Sequence, residues 1–182
     1  MSEISDRYRR LSSAFAAHIA AVPADLWSAP TPCADWTAIE LVQHVVDSQS
    51  MFLGLVGRPA AEVPPVGDDP AAAWAAASAA VQADLEDPGL AAVTFQGFSG
   101  ESSFETAVDR FVSFDLVVHG WDLARATGGD ERIDPDEVTR VVEDAALFGD
   151  MLHSPGVCGP AIEVPADADP QTARLALLGR SA

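Results

Sequence analysis

Helix punctuation constrains this chain more than any other feature of it. Five segments of helical periodicity each carry their own start or stop signal. The first, about 4–21, sets Leu11, Phe15, Ile19 and Val22 at helical spacing and stops at Pro23. The second, 37–56, opens with a capping box, Thr37-x-x-Glu40, and runs to Gly57. The third, 70–86, begins with Asp69-Pro70, a cap followed by proline at the first helical position, and ends at Pro88-Gly89. The fourth, 103–127, opens with a second capping box, Ser102-x-x-Glu105, and ends at Gly128-Gly129. A fifth, 134–151, begins Asp134-Pro135-Asp136-Glu137, and a last helical turn or two is expected at about 171–178. Between the third and fourth, "AAVTFQGFSG" (91–100) mixes β-formers with glycine and reads as a short strand pair or an irregular loop. Four long helices with polar connections predict an all-α fold, a four-helix bundle with an added C-terminal helix.

The fourth segment poses the functional question. "FDLVVHGWDLARATGG" (114–129) places Asp115, His119 and Asp122 among Val117, Val118 and Trp121, where the environment should be dry. Ionisable groups in such places are paired, hydrogen-bonded or bound to metal. At about 100° per residue, His119 lies only ~40° from Asp115, and Asp122 ~20° to the other side. Acid and imidazole therefore share the inward stripe as an i, i+4 pair. On the second helix His44 falls on the stripe of Leu41, Met51, Phe52 and Leu55, also predicted to face the core. Inward histidines and carboxylates on two long helices are the material of a metal site between bundle helices. An intrahelical Asp115–His119 hydrogen bond with an unrelated core His44 uses the same residues, and periodicity alone leaves both open. His18 reads as structural and His153 as a solvated loop residue. Glu3, Asp6, Asp84, Glu86 and Glu143 fit polar helix faces.

Composition removes several classes. The formal net charge of −18 over 182 residues argues against nucleic acid or an acidic membrane as partner, since phosphates would be repelled. All ten basic residues are arginine, so Schiff-base chemistry on lysine is excluded. No segment reads as a membrane span or a signal peptide, and Cys33 and Cys158 are too few for a disulfide framework. A single domain in the cytoplasm, with both thiols free, is the expectation. No phosphate-binding loop, dinucleotide fingerprint, G-x-S-x-G or H-E-x-x-H motif is present.

Three blocks carry a family likeness: "TPCADWTAIELVQHVV" (31–46), "FDLVVHGWDLARATG" (114–128) and "CGPAIEVPADADPQTARLALLGR" (158–180). Together they resemble the actinobacterial branch of the DinB-like superfamily, related to the N-terminal domain of mycothiol-dependent maleylpyruvate isomerase. The resemblance implies a four-helix bundle holding a divalent metal, zinc or nickel, through His44, Asp115 and His119. Asp115 departs from the pattern, being a short acid where a glutamate often stands. The isomerase proper carries a further domain that contributes to its site, for which this chain is too short, so isomerase activity itself is not carried over.

Three protein ligands would leave a coordination position open, as catalytic zinc does. A thiol there would be deprotonated and nucleophilic at neutral pH. The resemblance thus implies an enzyme using mycothiol or a similar thiol as cosubstrate, transferring it to an electrophilic small molecule or isomerising that molecule. Trp121, Asp122 and Arg125 are candidates to support the ligands. A metal-dependent hydrolase on the same site, and a non-catalytic metal- or thiol-binding domain, are the other readings. The expected partners are small molecules, and a homodimer is left open.

Overall fold

The helices begin where side chains can replace missing backbone acceptors. Ser2 caps α1 (Glu3–Ala21), its hydroxyl accepting the Ser5 N–H at 3.2 Å. At the start of α2 (Ala38–Leu55) the Glu40 carboxylate accepts the Thr37 N–H at 2.9 Å, as the capping box requires. Asp69 caps α3 (Pro70–Glu86) through the Ala72 N–H at 2.9 Å. A single turn, α4 (Pro88–Ala91), leads to an antiparallel hairpin of β1 (Thr94–Gly97) and β2 (Gly100–Ser103), in which Thr94 faces Ser103. The computed structural model describes residues 2–33, 36–97, 100–154 and 157–181, so part of the expected 91–100 segment, 98–99, lies outside the described residues.

The fourth helical segment differs from its prediction in two ways. Ser102 belongs to β2, paired with Phe95, and Ser103 is the cap, accepting the Thr106 N–H at 3.3 Å. The helix is also not uniform. One α-turn, α5 (Phe104–Ala107), passes into a π turn over Val108–Val112, closed by the Ser113 N–H on the Val108 carbonyl, before α6 (Ser113–Thr127) resumes α geometry. Gly128, at φ +73°, ends α6 in the left-handed region as a glycine stop should. Next come α7 (Pro135–Phe148), a 3₁₀ turn over Gly149–His153 and α8 (Pro170–Leu177).

Helices α1, α3, α2 and α6 pack in that order around a ring, α6 closing on α1. Phe15, Leu41, Val45, Trp74 and Leu123 fill its centre, each almost wholly buried. Burial of one such side chain contributes about 1.5–3 kcal/mol. Phe15 and Trp74 meet edge to face at 5.0 Å, the Trp74 indole donates to the Ser12 carbonyl at 3.1 Å, and Tyr8 donates to Gln49 at 2.7 Å. A second core lies on the other side of α6. There Phe114, Val117 and Val118 pack against Val141, Ala145, Leu152, Cys158 and Leu178. Between Ser113 and Ala124, Asp115 is the one residue that is not buried.

Arg7 joins the layers by donating to both Glu137 oxygens of α7 (2.6–3.2 Å) and to Asp109 of the π turn (2.8 Å). Asp84 is a correction to the polar-face assignment: it is 5% exposed and held by Arg58 at 3.0 and 3.3 Å. Among the described residues no helix is long and apolar enough to cross a membrane.

Candidate metal centre

The loop before α2 positions the first element of the site. An isolated antiparallel bridge joins Pro30 to Thr37, and the Thr31 N–H and hydroxyl both donate to the Trp36 carbonyl at 2.9 Å. These bonds lay the Trp36 ring over His44, with centroids 4.5 Å apart and planes tilted by 32°. Met51 and Leu55, on the same stripe of α2 as His44, are 57% and 44% exposed, whereas Leu41 and Phe52 are buried. This corrects the expectation of a wholly core-facing stripe: it runs from the core at Leu41 and Phe52 to the open pocket at His44 and Met51 and to the surface at Leu55.

Across that pocket α6 presents Asp115 and His119. His44 Nε2 stands 3.6 Å from Asp115 Oδ2, too long for a hydrogen bond. The His44 and His119 rings meet nearly edge-on at 5.2 Å. One ligand atom from each of His44, Asp115 and His119 falls within 4.8 Å of the other two. Three donors thus point at one place without being spent on one another. That arrangement fits a divalent ion with nitrogen and oxygen ligands, and it separates this cluster from a simple intrahelical pair. Among the described residues no fourth histidine, cysteine or carboxylate joins it.

Behind the cluster lies a polar chain. His119 Nδ1 is 3.0 Å from Asp122 Oδ2, and Arg180 grips the same carboxylate through Nη2 at 3.0 Å and Nε at 3.3 Å. Arg180 also donates to the Leu178 carbonyl at 2.8 Å. Burial would raise the Asp122 pKa, but the hydrogen bond with His119 and the charge of Arg180 outweigh it and hold the group below the ordinary carboxylate range. An ionised Asp122 makes Nδ1 the protonated nitrogen of His119 and leaves the Nε2 lone pair for a ligand.

Arg180 reaches this place because two backbone segments touch. Gly179 has φ +77°, and a Cβ there would stand 2.8 Å from the Gly159 Cα and carbonyl carbon. The residues next to these glycines, Cys158 and Arg180, are delivered to one pocket, which Cys33 also lines. Both cysteines are free thiols. Burial pushes the Cys33 thiol up to about 11, and Cys158 is also raised, burial outweighing the opposing charge of Arg180.

Of the other residues singled out by sequence, Asp122 supports His119 as described. Trp121 is buried, and no contact ties it to the cluster among those described. Arg125 lies outside the site, paired at the surface with Glu131 at 3.0–3.2 Å. His18 packs on the opposite side of α6, where a Cβ at Gly120 would stand 3.4 Å from its ring. Burial lowers its pKa, with partial opposition from Asp130. His153 is exposed, as expected of a solvated residue, but sits in the 3₁₀ turn with Nδ1 2.6 Å from the Gly159 carbonyl. Sequence reasoning missed Trp36, Arg180 and the placing of both cysteines. Their loops have no periodicity to read.

The sequence profile of the mycothiol maleylpyruvate isomerase N-terminal domain matches residues 8–124. The chain belongs to this family. The match to the mycothiol maleylpyruvate isomerase N-terminal domain family spans α1 to α6 and includes His44, Asp115, His119 and Asp122, whereas Cys158 and Arg180 lie beyond it. The chain is also similar to uncharacterised proteins from two strains of Mycobacterium tuberculosis. Each is 37% identical over 153 residues, covering 82% of this chain and 81% of the relative. No solved structure matches it.

Proposed function

We propose that this protein is a metal-dependent enzyme that activates a low-molecular-weight thiol, of the mycothiol type, for transfer to an electrophilic small molecule or for its isomerisation. The observation that carries the reading is a cluster of three donor residues beside an open pocket, because a structural site would be closed by a fourth. His44, Asp115 and His119 would hold the divalent ion, zinc in first place and nickel in second. When bound, the ion supplies a Lewis acid that lowers the pKa of a thiol beside it. The name of the family, which pairs mycothiol with an isomerase, supports a thiol over water as the second partner.

The chain's own residues have separable tasks. Asp122 and Arg180 keep the proton of His119 on Nδ1 and fix the ring. Trp36 covers one face of His44 and holds it toward Asp115. The pocket, about 270 Å³, is lined mainly by apolar side chains and stays open to solvent on the side of His44 and Asp115. In a transfer, the thiol sulfur forms a bond to carbon, the leaving group departs with the electron pair of the bond that breaks, and the thiol proton passes to solvent. In an isomerisation, sulfur adds to one end of a conjugated double bond, rotation follows about the bond that is now single, and loss of the thiol restores it. Burial keeps Cys33 and Cys158 as protonated thiols at neutral pH, so neither competes with the added thiol as nucleophile.

Elemental analysis of the purified protein and of His44→Ala tests this first. About one divalent ion per chain is expected in the wild type and far less in the variant, although His44 lies on a different helix from Asp115 and His119. Full metal retention in His44→Ala would remove the three-residue site. In a cobalt-substituted sample, 2-mercaptoethanol should produce a thiolate-to-metal absorption band. A metal-loaded protein showing no such band, with turnover of esters or amides in the absence of thiol, would point to hydrolysis instead.

A further inference from the structure

We infer that the electrophile this site takes is an uncharged, apolar molecule with an aromatic or similarly flat group, and that a carboxylated one is disfavoured. This rests on the thiol-transfer reading above and adds the class of the second substrate.

The first support is the wall facing the cluster. Phe52, Phe111, Phe114 and Phe148 form a continuous run of rings, with centroid separations of 6.1 Å for Phe52–Phe111 and 5.3 Å for both Phe111–Phe148 and Phe114–Phe148. Phe111 and Phe148 are only partly buried, so their rings meet the pocket space as well as one another. Met51 and Met151 stand at the mouth, 57% and 45% exposed. Unbranched thioethers adapt to varied apolar shapes, and aromatic faces favour offset or edge-on contact with another ring. A volume of about 270 Å³ lies just under the ~300–1,000 Å³ of drug-sized pockets and suits a compact molecule of about one ring.

The second support is a charge count. Among the described residues, the one charged residue lining the pocket besides the cluster is Arg180, which is 4% exposed and whose single charge is matched by buried Asp122. Two neutral imidazoles and one carboxylate around a dication leave one net positive charge, which a thiolate cancels. No positive charge then remains for a carboxylate on the electrophile, and burying one unpaired against four phenylalanines is costly. The chain's net charge of −18 also opposes the approach of an anion.

Two experiments decide the inference. In the first, metal-free protein is titrated with 4-fluorobenzyl alcohol, an uncharged single-ring probe, and binding is read by ¹⁹F NMR. Saturable binding is expected, weakened roughly fivefold or more in Phe111→Ala and Phe148→Ala and largely kept in Phe148→Leu. No binding by the wild type, or equal binding by both alanine variants, overturns the inference. In the second, zinc-loaded protein with 2-mercaptoethanol is given 4-nitrobenzyl chloride or 4-(chloromethyl)benzoate. After division by the uncatalysed rates, kcat/KM should favour the neutral electrophile at least about tenfold. Equal or reversed preference overturns the inference. If neither electrophile turns over while the alcohol binds as expected, the thiol-transfer reading falls and the uncharged, apolar ligand class stands.

Discussion

Arg180 and Asp122 show how much of the site depends on one buried pair. Removing the arginine leaves a carboxylate in a dry interior, with His119 its one remaining hydrogen-bond partner among the described residues. Arg180→Met is expected to lower unfolding stability by about 3–5 kcal/mol, measured by urea denaturation of metal-free protein. The double variant Asp122→Asn/Arg180→Met should recover most of that loss, because the stranded charge is gone. Both should bind zinc about 10–100-fold more weakly in a chelator competition, since the carboxylate that orients His119 is no longer fixed by Arg180 in the first and is replaced by a neutral amide in the second. The juxtaposition of the proposed ligands was legible because the phase of α6 is regular from Asp115 onward: four residues of α-helix bring Asp115 and His119 to one side whatever precedes them. Arg180 was not legible. It follows a helix by three residues, and only the approach of Gly179 to Gly159 shows why it turns inward.

Among the elements, the glycines that follow α6 and α8 have similar φ angles and different surroundings. Gly128 has φ +73°, and a Cβ there would meet nothing within 4 Å, whereas a Cβ at Gly179 would strike the Gly159 backbone at 2.8 Å. Gly128→Ala should therefore cost only the left-handed strain, about 1–2 kcal/mol. Gly179→Ala adds a backbone collision, and should lower the melting temperature distinctly more while releasing Arg180 from Asp122. Equal melting temperatures would mean that the two segments part without cost. Caps and stops made the element boundaries readable, since Thr37, Asp69 and Asp134 act through local hydrogen bonds that sequence spacing displays. The π turn at Val108–Val112 was not readable, because one extra residue per turn leaves composition unchanged. Its Asp109 is nevertheless what meets Arg7.

For the whole molecule, the Arg7 cluster links stability to pH through a neighbouring carboxyl. Asp144 is pushed up to about 6, chiefly by burial and further by Asp109, with Arg7, Arg140 and Arg110 opposing, and its Oδ2 has no hydrogen-bond partner among the described residues. An acid whose folded pKa exceeds its unfolded value of ~3.9 favours the fold while protonated and loses that contribution as pH rises from about 4 to 6. Asp144→Asn should therefore stabilise the protein at pH 7.5 and not at pH 4. The gain should be under about 1 kcal/mol, because the group is partly solvated. Thermal melts at the two pH values check this, and a gain of equal size at both would contradict it.

Helix α6 separates two cores, and the pocket wall crosses that division. His44, Asp115, His119 and Phe52 belong to the four-helix ring and Phe111 to the π turn that leads into it, whereas Phe148, Met151 and Val157 come from α7, the 3₁₀ turn and the segment beyond it. Descendants of such a chain could exchange the outer half of the pocket, residue by residue, without disturbing the packing that aims the ligands. A fold arranged in this way can hold one cluster of donors fixed while the space in front of it changes shape and polarity.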